Sequence, residues 1–172
     1  RVVYLGTMSK QISPGLRIGW MIASKEMIQA LTLAKQGSDM CTSGITQHIA
    51  LEVLKSGLIE KQQPKMVELY RSRRDALCTA MLEHLSEWYE WEVPVGGMFV
   101  WAKLRDPNLN TDQLLPLAIQ EKVCISPSSV FDSQEKYRRA IRINFTLNNE
   151  DALREAVRRL ARATNRLIKE EI

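Results

Sequence analysis

The sequence predicts an α/β protein whose last strands and helices form a small α/β sandwich. Two observations support this prediction. Short apolar runs bounded by Gly, Pro and Ser, which are typical of strands, alternate along the chain with longer segments whose apolar residues recur at helical spacing. After residue 89, strands and helices follow one another closely, as expected of a compact two-layer unit.

The predicted elements follow in order along the chain. Strands are expected at residues 2–5, 16–23, 89–93, 98–104, 123–126 and 139–145. Helices are expected at residues 25–36, 46–55, 58–84 (starting at 58 or 62), 111–122 and from 148 or 149 to the end. Ser24 suits the start of the first helix and Gly37 its end. Pro64 belongs in or just before the first turn of the long helix, and Pro116 is expected to kink its helix or delay its start.

The last predicted helix is amphipathic and strongly basic. Its apolar stripe is expected to face the core and consists of Leu153, Val157, Leu160, Thr164 and Leu167 with Ile168. Its basic residues are Arg154, Arg158, Arg159, Arg162, Arg166 and Lys169. We interpret them as a solvated face; a surface for nucleic acid or an acidic partner is the alternative. No aromatic residues interleave with these arginines, which disfavours stacking on single strands.

Composition argues against several classes of protein. With 45% hydrophobic and 26% charged residues among 172, the sequence is that of an ordinary globular protein, and no apolar run approaches the ~20 residues of a membrane helix. Cys41, Cys78 and Cys124 are far apart in the sequence, so neither a disulfide framework nor a metal site is expected and a cytoplasmic location is favoured. Because the chain begins inside an apolar run, we expect it to be the C-terminal part of a longer protein.

The first predicted strand leads into the most informative segment of the chain. Residues 2–5 are expected to form a buried strand that ends at Gly6, and residues 7–20 follow it. The rim of an open α/β sheet, just past a strand end, is where such sheets bind ligands. We therefore expect residues 7–20 to lie at a ligand site.

Four side chains in that segment suit a phosphorylated cofactor. Thr7 and Ser9 supply hydroxyl groups, and the planar fork of Arg17 can donate two parallel hydrogen bonds to phosphate oxygens. Lys10 lies between them in the sequence, and a lysine amine condenses with the aldehyde of pyridoxal phosphate. This combination favours pyridoxal phosphate as the ligand.

The whole run resembles the cofactor-lysine signature of the class I and II aminotransferases, which are fold-type-I pyridoxal-phosphate enzymes. That signature is a strand, Ser/Thr-x-Ser-Lys, a short loop, Pro-Gly-Leu-Arg and then Gly-Trp or Gly-Phe, and the match covers residues 4–23. The resemblance implies that Lys10 is the catalytic lysine and is joined covalently to pyridoxal 5'-phosphate. It also implies that Thr7, Ser9 and Arg17 hold the cofactor's phosphate.

The resemblance extends along the chain and implies its domain organisation. Residues 1–57 resemble the end of the large pyridoxal-phosphate-binding domain. Residues 58–172 resemble the small C-terminal domain together with the interdomain helix. The expected fold class is therefore α/β, as the C-terminal part of a fold-type-I transferase.

A second candidate site lies in the last predicted strand. Apolar and polar residues alternate there, so Arg142 and Asn144 share one face. Spacing alone favours a solvent-facing arginine or an ion pair at residue 142. The strand nevertheless resembles the family's Arg-x-Asn/Ser-Phe segment, which implies that Arg142 binds the α-carboxylate of the substrate.

Two loops of the small domain also resemble family motifs. Residues 94–99 resemble Pro-x-Gly-Gly-Met-Phe, a turn that borders the substrate pocket, with Gly97 as the expected contact. Phe99 and Trp101 are expected in the core rather than in the pocket. Residues 127–131 resemble Pro-Gly-x-x-Phe with Ser128 in place of the glycine, which leaves the conformation of this loop open.

The resemblance implies an aminotransferase that moves an amino group between an amino acid and a 2-oxo acid. Within the family it favours the subgroup that includes aminoadipate and kynurenine aminotransferases. The alternative is the effector domain of a GntR/MocR-type transcriptional regulator, which would bind DNA through a winged helix preceding residue 1. A homodimer is implied in either case, and no membrane association. The family's aspartate under the pyridine nitrogen precedes the lysine strand, so this 172-residue chain is expected to be inactive by itself.

Overall fold

The computed structural model describes residues 2–134 and 136–170, the last of these by its backbone alone. The chain divides into two compact units, one ending at Lys65 and the other beginning at Met66. Each unit has its own sheet. The predicted division into residues 1–57 and 58–172 concerns the domains of a longer fold and stays a prediction.

The first unit opens with an antiparallel hairpin of β1 (Tyr4–Thr7) and β2 (Gly19–Ile22), whose register pairs Gly6 with Trp20. The prediction that Gly6 ends the first strand was wrong, because Gly6 lies inside β1. The prediction of a buried strand was also wrong, since the Leu5 side chain is 71% exposed. A hairpin of two strands buries little of either face by itself.

The second strand begins later than the sequence suggested. Pro14–Leu16 form a 3₁₀ turn, in which the Ser13 hydroxyl accepts a hydrogen bond from the Gly15 N–H. Arg17 follows with left-handed backbone angles, φ 54° and ψ 40°. A residue with these angles cannot continue an extended strand, so β2 starts only at Gly19.

The first unit continues with two helices, α1 (Lys25–Ser38) and α2 (Gly44–Lys55). As predicted, Ser24 caps α1, and its hydroxyl accepts the Met27 N–H at 3.4 Å. The prediction that Gly37 ends α1 was wrong, because the helix continues through it. The helix ends one residue further on, where the Asp39 N–H donates to Lys35 O at 3.0 Å and the two side chains form an ion pair.

The helix α3 (Leu58–His84) leads into the second unit, which contains a four-stranded antiparallel sheet. Its strands are β3 (Tyr89–Trp91), β4 (Phe99–Leu104), β5 (Ser126–Pro127) and β6 (Ala140–Asn144), in the spatial order β3-β4-β6-β5. Its other helices are α4 (Thr111–Gln120) and α5 (Glu150–Glu170). Side chains from the helices and the sheet share one core, which confirms the small α/β sandwich. In the described part of the chain, no helix has the length and apolar character needed to cross a membrane.

Successive side chains of β4 lie alternately in this core and on an open face of the sheet. Val100 and Leu104 are fully buried, whereas Phe99 and Trp101 are 37% and 41% exposed. The expectation that Phe99 and Trp101 belong to the core was therefore wrong. Phe99 and Trp101 share their side of the strand with Lys103, whereas Val100, Ala102 and Leu104 on the other side are all apolar, and this was the available signal for which set faces inward.

The amphipathic pattern of α5 is confirmed. Its stripe residues Leu153, Val157, Leu160, Thr164 and Leu167 are buried. Asn149 caps the helix by accepting the Ala152 N–H at 2.9 Å. Several arginines of the opposite face pair with carboxylates, as Arg162 does with Glu121 at 2.8 Å. These pairs fit the interpretation of a solvated basic face.

The two internal prolines depart from their predictions in different ways. Pro64 lies beyond the first turn of α3, contrary to the prediction. Pro116 does not delay α4, which starts at Thr111 because the Asn110 side chain caps the Asp112 N–H at 2.8 Å. Proline is tolerated inside a helix only where the loss of one backbone hydrogen bond is offset by other contacts.

Candidate cofactor and carboxylate sites

The connection between β1 and β2 carries the residues predicted to bind the cofactor. Thr7 ends β1, Ser9 and Lys10 follow it, and Arg17 lies just before β2. The Thr7 hydroxyl accepts the Ser9 N–H at 3.1 Å and donates to Ile18 O at 3.3 Å. These two bonds tie the start of the connection to its end.

Arg17 is held in a compact turn of its own. Its backbone N–H and its Nη1 both donate to Pro14 O, at 3.4 Å and 3.1 Å. Within residues 2–134 and 136–170, this is the one hydrogen bond made by the Arg17 side chain. A guanidinium carries five N–H donors, so donors remain for an anionic ligand.

The donor set of this connection fits pyridoxal 5'-phosphate. The hydroxyl groups of Thr7 and Ser9 and the guanidinium of Arg17 are groups that bind phosphate oxygens. Lys10 is exposed, whereas Met8 is buried and its N–H donates to Ile18 O at 3.1 Å, which anchors the connection. An accessible amine on an anchored turn is what an aldehyde cofactor requires.

The second candidate site centres on Arg142, in the middle of β6. Its guanidinium carbon lies 4.2 Å from the ring centroid of Phe99 and 4.2 Å from that of Phe131. Phe131 lies on a short 3₁₀ turn, and its ring meets that of Trp101 edge to face at 5.8 Å. The guanidinium carbon thus lies over two aromatic rings, one from β4 and one from the turn.

Strand pairing brings these groups together. Arg142 lies opposite Trp101 on β4 and opposite Ser126 on β5, while Phe99 lies opposite Asn144. Phe99 is therefore a diagonal neighbour of Arg142 on the same face of the sheet, within reach of a long side chain. The alternation predicted for this strand places Asn144 on that face too.

The Nε of Arg142 has no hydrogen-bond partner among the described residues, although the atom is buried. A buried charged donor without a partner costs more than the ordinary value of a hydrogen bond. A carboxylate is the acceptor that matches the planar fork of a guanidinium. Arg142 therefore fits a carboxylate ligand, which is the role expected from the sequence.

The loop that carries Phe131 is anchored to β6 by Ser128. The Ser128 hydroxyl is buried, donates to Tyr137 O at 2.7 Å and accepts the Ala140 N–H at 3.2 Å. Further along, the Asp132 carboxylate accepts the backbone N–H groups of Gln134, Lys136 and Tyr137, at 2.8–3.0 Å. Those backbone donors lower the pKa of Asp132 from its ordinary value. The loop conformation that the sequence left open is thus fixed by a hydroxyl that glycine would lack.

Gly97 lies where its backbone demands glycine. Its φ is +82°, a conformation that side-chain-bearing residues rarely adopt. It lines a cavity of about 170 Å³ together with Tyr70, Arg74 and Phe145. Arg74 Nη1 donates to Pro94 O at 3.0 Å, which holds this turn against α3. A direct role of Gly97 in substrate binding stays a prediction.

Three residues around Arg142 were not assigned to a site by the sequence. The ring of Phe131 was part of a recognised loop, but nothing in its spacing pointed to Arg142. Phe99 was assigned to the core, and Ser128 was seen only as a departure from a motif. The alternation of β4 is the signal that allows Phe99 to face Arg142, once the pairing of β4 with β6 is known.

Comparison with known proteins gives one consistent family. Residues 1–160 match the family described as Aminotransferase class I and II. The chain is 40% identical over its full length to aromatic-amino-acid aminotransferase 1 of Thermococcus litoralis, of which it spans 40%. It is 34% identical over 135 residues, 78% of this chain and 28% of the relative, to YdfD, an HTH-type transcriptional regulator of Bacillus subtilis.

A solved structure shows the same fold. The chain matches Pyrococcus horikoshii kynurenine aminotransferase in complex with PMP, with a TM-score of 0.89 and 38% identity, over 100% of this chain and 41% of that one. The chain thus spans about two fifths of the length of the aminotransferases it matches. Together with the lysine-bearing connection and the stacked arginine, these matches establish that the chain belongs to the class I and II aminotransferase family.

Proposed function

We propose that the protein containing this chain is a pyridoxal-phosphate-dependent aminotransferase, which moves an amino group between an amino acid and a 2-oxo acid. The observation that carries the proposal is the β1–β2 connection. There Thr7, Ser9, Lys10 and Arg17 lie on one connection, which hydrogen bonds of Thr7 and Arg17 hold in place. The family match and the PMP complex of the kynurenine aminotransferase support the same cofactor.

Each residue of the connection has a separate role in this proposal. The Arg17 guanidinium and the Ser9 hydroxyl bind the phosphate and fix its position, and the Thr7 hydroxyl joins them by turning its proton from Ile18 O to a phosphate oxygen. When bound, the cofactor supplies an electron sink that makes the substrate α-hydrogen acidic. The Lys10 amine, in its neutral form, takes the proton from the substrate α-carbon and later returns a proton as a general acid.

Arg142 acts on the substrate carboxylate. Its two Nη groups, which unlike the Nε are not buried, form two parallel hydrogen bonds to the two carboxylate oxygens. This pair orients the α-carbon for proton transfer, and orientation of reacting groups is a large part of catalysis. Gly97 borders the same substrate in this proposal.

Replacement of Lys10 by alanine in the protein expressed from its complete coding sequence tests the proposal. We expect transamination of aromatic amino acids, kynurenine or 2-aminoadipate with 2-oxoglutarate by the wild type and no turnover by Lys10→Ala. Lys25→Ala, which changes an exposed lysine at the start of α1, is the matched control and should keep full activity. Turnover by Lys10→Ala at the wild-type rate would refute the assignment.

Location and assembly form part of the same proposal. We assign the protein to the cytoplasm because its three cysteines are far apart in the sequence, and to homodimers because the family resemblance implies them. Sedimentation of the complete protein at several concentrations should give twice the monomer mass. A monomer with full activity would overturn the assignment of a dimer.

A transcriptional regulator is the second candidate, and the similarity to the HTH-type regulator YdfD favours it. In that case a winged helix elsewhere in the complete protein binds DNA, and the aminotransferase-like part binds the cofactor as a signal. Gel-shift measurements with the promoter region next to the gene, with and without pyridoxal phosphate, distinguish the two. Specific DNA binding without transamination would replace the enzyme by the regulator.

A further inference from the structure

We propose that Phe99 and Phe131 are positioning residues for Arg142: their two rings hold the guanidinium in one plane, so that only its edge is presented to a carboxylate. This inference rests on the proposed role of Arg142 and extends it to two side chains that do not themselves bind the carboxylate. The geometry behind it is the pair of 4.2 Å distances from the Arg142 guanidinium carbon to the two ring centroids.

Stacking on both sides limits how the arginine can bind. An arginine side chain has several rotatable bonds, and a carboxylate is bound by two parallel hydrogen bonds only if the guanidinium plane contains both acceptor oxygens. Both rings lie 4.2 Å from the guanidinium carbon, and in this proposal Phe99 covers one face of the plane and Phe131 the other. The cation is attracted to the negative faces of both rings, which favours this orientation over others.

The edge of the guanidinium is left available by its surroundings. Arg142 Nε is buried, but the two Nη groups are accessible; in the described part of the chain they make no hydrogen bond, and no carboxylate lies within ion-pairing distance of this arginine. The nearest strand partners, Trp101 and Ser126, contribute no acceptor to it. The rings thus replace the ion pair that usually orients a half-buried arginine, and they do so without occupying its hydrogen-bond donors.

Phe131 is itself held in place from two sides. The edge of Trp101 contacts its ring at 5.8 Å between centroids, with an angle of 64°. The turn that carries it is fixed by Ser128, and the Ser129 hydroxyl donates to the Asp112 carboxylate of α4. Phe131 is nevertheless 47% exposed, so its ring adds little to the core. A large ring fixed in an exposed position is explained by its contact with the arginine.

Leucine and tyrosine separate stacking from simple packing at these positions. Phe→Leu keeps an apolar side chain of similar bulk but removes the π face, whereas Phe→Tyr keeps the π face. Phe99 and Phe131 are both partly exposed, so these changes do not open a cavity in the core. Val130→Ala alters the same turn at a side chain that is 69% exposed, and serves as the control for disturbance of the loop.

The test measures equilibrium binding by calorimetry, in the complete cofactor-loaded protein. The probes are 3-phenylpropionate, 4-methylpentanoate and glutarate, each compared with its uncharged amide. For the carboxylate that binds wild type most tightly, we expect Phe131→Leu and Phe99→Leu to raise the dissociation constant by about threefold to thirtyfold. Phe131→Tyr, Phe99→Tyr and Val130→Ala should stay within about twofold of wild type, and binding of the amides should not change.

Three results would overturn the proposal. They are wild-type affinity for the carboxylate in both leucine variants, equal weakening of the acid and its amide, and no binding of any of the three carboxylates by wild type. An Arg142→Lys background provides a further check, because a lysine has no guanidinium plane to orient. In that background Phe131→Leu should not change the dissociation constant of the carboxylate any further. The separate transamination assay distinguishes the two proposals. If wild type does not transaminate but the binding pattern holds, only the proposed function fails, and if it transaminates but the leucine variants bind normally, only the positioning role fails.

Discussion

The indole of Trp20 lies directly over Gly6, its partner across the β1–β2 hairpin. A β-carbon at residue 6 would lie 2.1 Å from Cε2 and 2.6 Å from Nε1 of the indole, closer than real β-carbons approach any atom. Glycine at residue 6 therefore lets the indole pack onto the strand backbone. Thr7 follows directly, so this contact also fixes where the strand leads into the connection that carries Lys10.

Gly6→Ala is expected to disrupt that contact. The new methyl group forces Trp20 away from β1, and such overpacking costs about 1–3 kcal/mol. Hydrogen–deuterium exchange of peptides covering residues 4–22 in the complete protein should become faster, and its bound pyridoxal phosphate content should fall. Gly15→Ala is the control, since a β-carbon there would meet its nearest neighbour, Ser13 Oγ, at an ordinary 3.6 Å. Unchanged exchange in Gly6→Ala would show that Trp20 relaxes at no cost.

The connection after β1 shows what sequence reasoning captured and what it missed. The order of a strand, two hydroxyl residues, a lysine and an arginine was sufficient to predict a loop between two strands that carries these side chains, and their convergence on a phosphate stays a prediction. The left-handed backbone of Arg17 was not predicted, because φ values above zero are rare for residues other than glycine. The available signal in the sequence was Ser13-Pro14-Gly15, because these residue types favour a tight turn. In the structure the Ser13 hydroxyl accepts the Gly15 N–H within that turn.

Replacement of Gly37 by alanine is expected to stabilise the protein, whereas replacement of Gly6 destabilises it. Gly37 lies inside α1 rather than at its end, and a β-carbon at this position would have no atom within 4 Å apart from its own helix and chain neighbours. Glycine inside a helix is less stable than alanine by about 0.5–1 kcal/mol. Gly37→Ala should therefore slow amide exchange in peptides covering residues 25–38 by about twofold to fivefold. Faster exchange would contradict the open surroundings of this residue.

β4 shows why burial was harder to predict than the element itself. The apolar run was enough to predict a strand close to Phe99–Leu104. The two large aromatic residues Phe99 and Trp101 suggested a core face, although the charged Lys103 lies on the same side of the strand and pointed to the open face. The pairing of β4 with β6 decides the matter, and pairing between strands so far apart in the sequence is not encoded in local spacing.

Ser128 marks a departure from the family motif that can be tested directly. Its buried hydroxyl bonds both Tyr137 O and the Ala140 N–H, so Ser128→Ala leaves a buried acceptor and a buried donor without partners. Such a loss costs about 1–3 kcal/mol. We expect faster amide exchange across residues 128–140 in Ser128→Ala, and also in Ser128→Gly, which restores the residue usual in the family. Ser133→Ala changes an exposed serine of the same loop and is the control, which should exchange at the wild-type rate. If Ser128→Ala also exchanged at the wild-type rate, the Ser128 hydroxyl would not be what holds the loop.

Tyr89 connects β3 to α5 through a buried hydrogen bond. The Thr164 hydroxyl donates to Leu160 O at 2.9 Å, so the Tyr89 hydroxyl is the donor in its 3.1 Å contact with Thr164 Oγ1. Burial raises the pKa of Tyr89 above its ordinary value, because the phenolate would lose its hydration in the core. Below pH 10 the phenol is protonated in both the folded and the unfolded protein. Above pH 10 the unfolded chain loses this proton first, so the free energy of unfolding falls as pH rises.

Tyr89→Phe should remove that alkaline dependence. At pH 9 the variant is expected to be less stable than wild type by about 0.5–1.5 kcal/mol, because one buried hydrogen bond is lost while Thr164 keeps its bond to Leu160. At pH 11 ionisation of the unfolded wild type costs about 1.4 kcal/mol, and this term is absent in the variant. Urea unfolding of both complete proteins at pH 9 and 11 should therefore show the gap closing by about that amount. Burial also raises the pKa of Cys78, but this thiol titrates in both proteins and its contribution cancels in the comparison. A stability difference between wild type and Tyr89→Phe that is the same at both pH values would contradict the buried, neutral state of Tyr89.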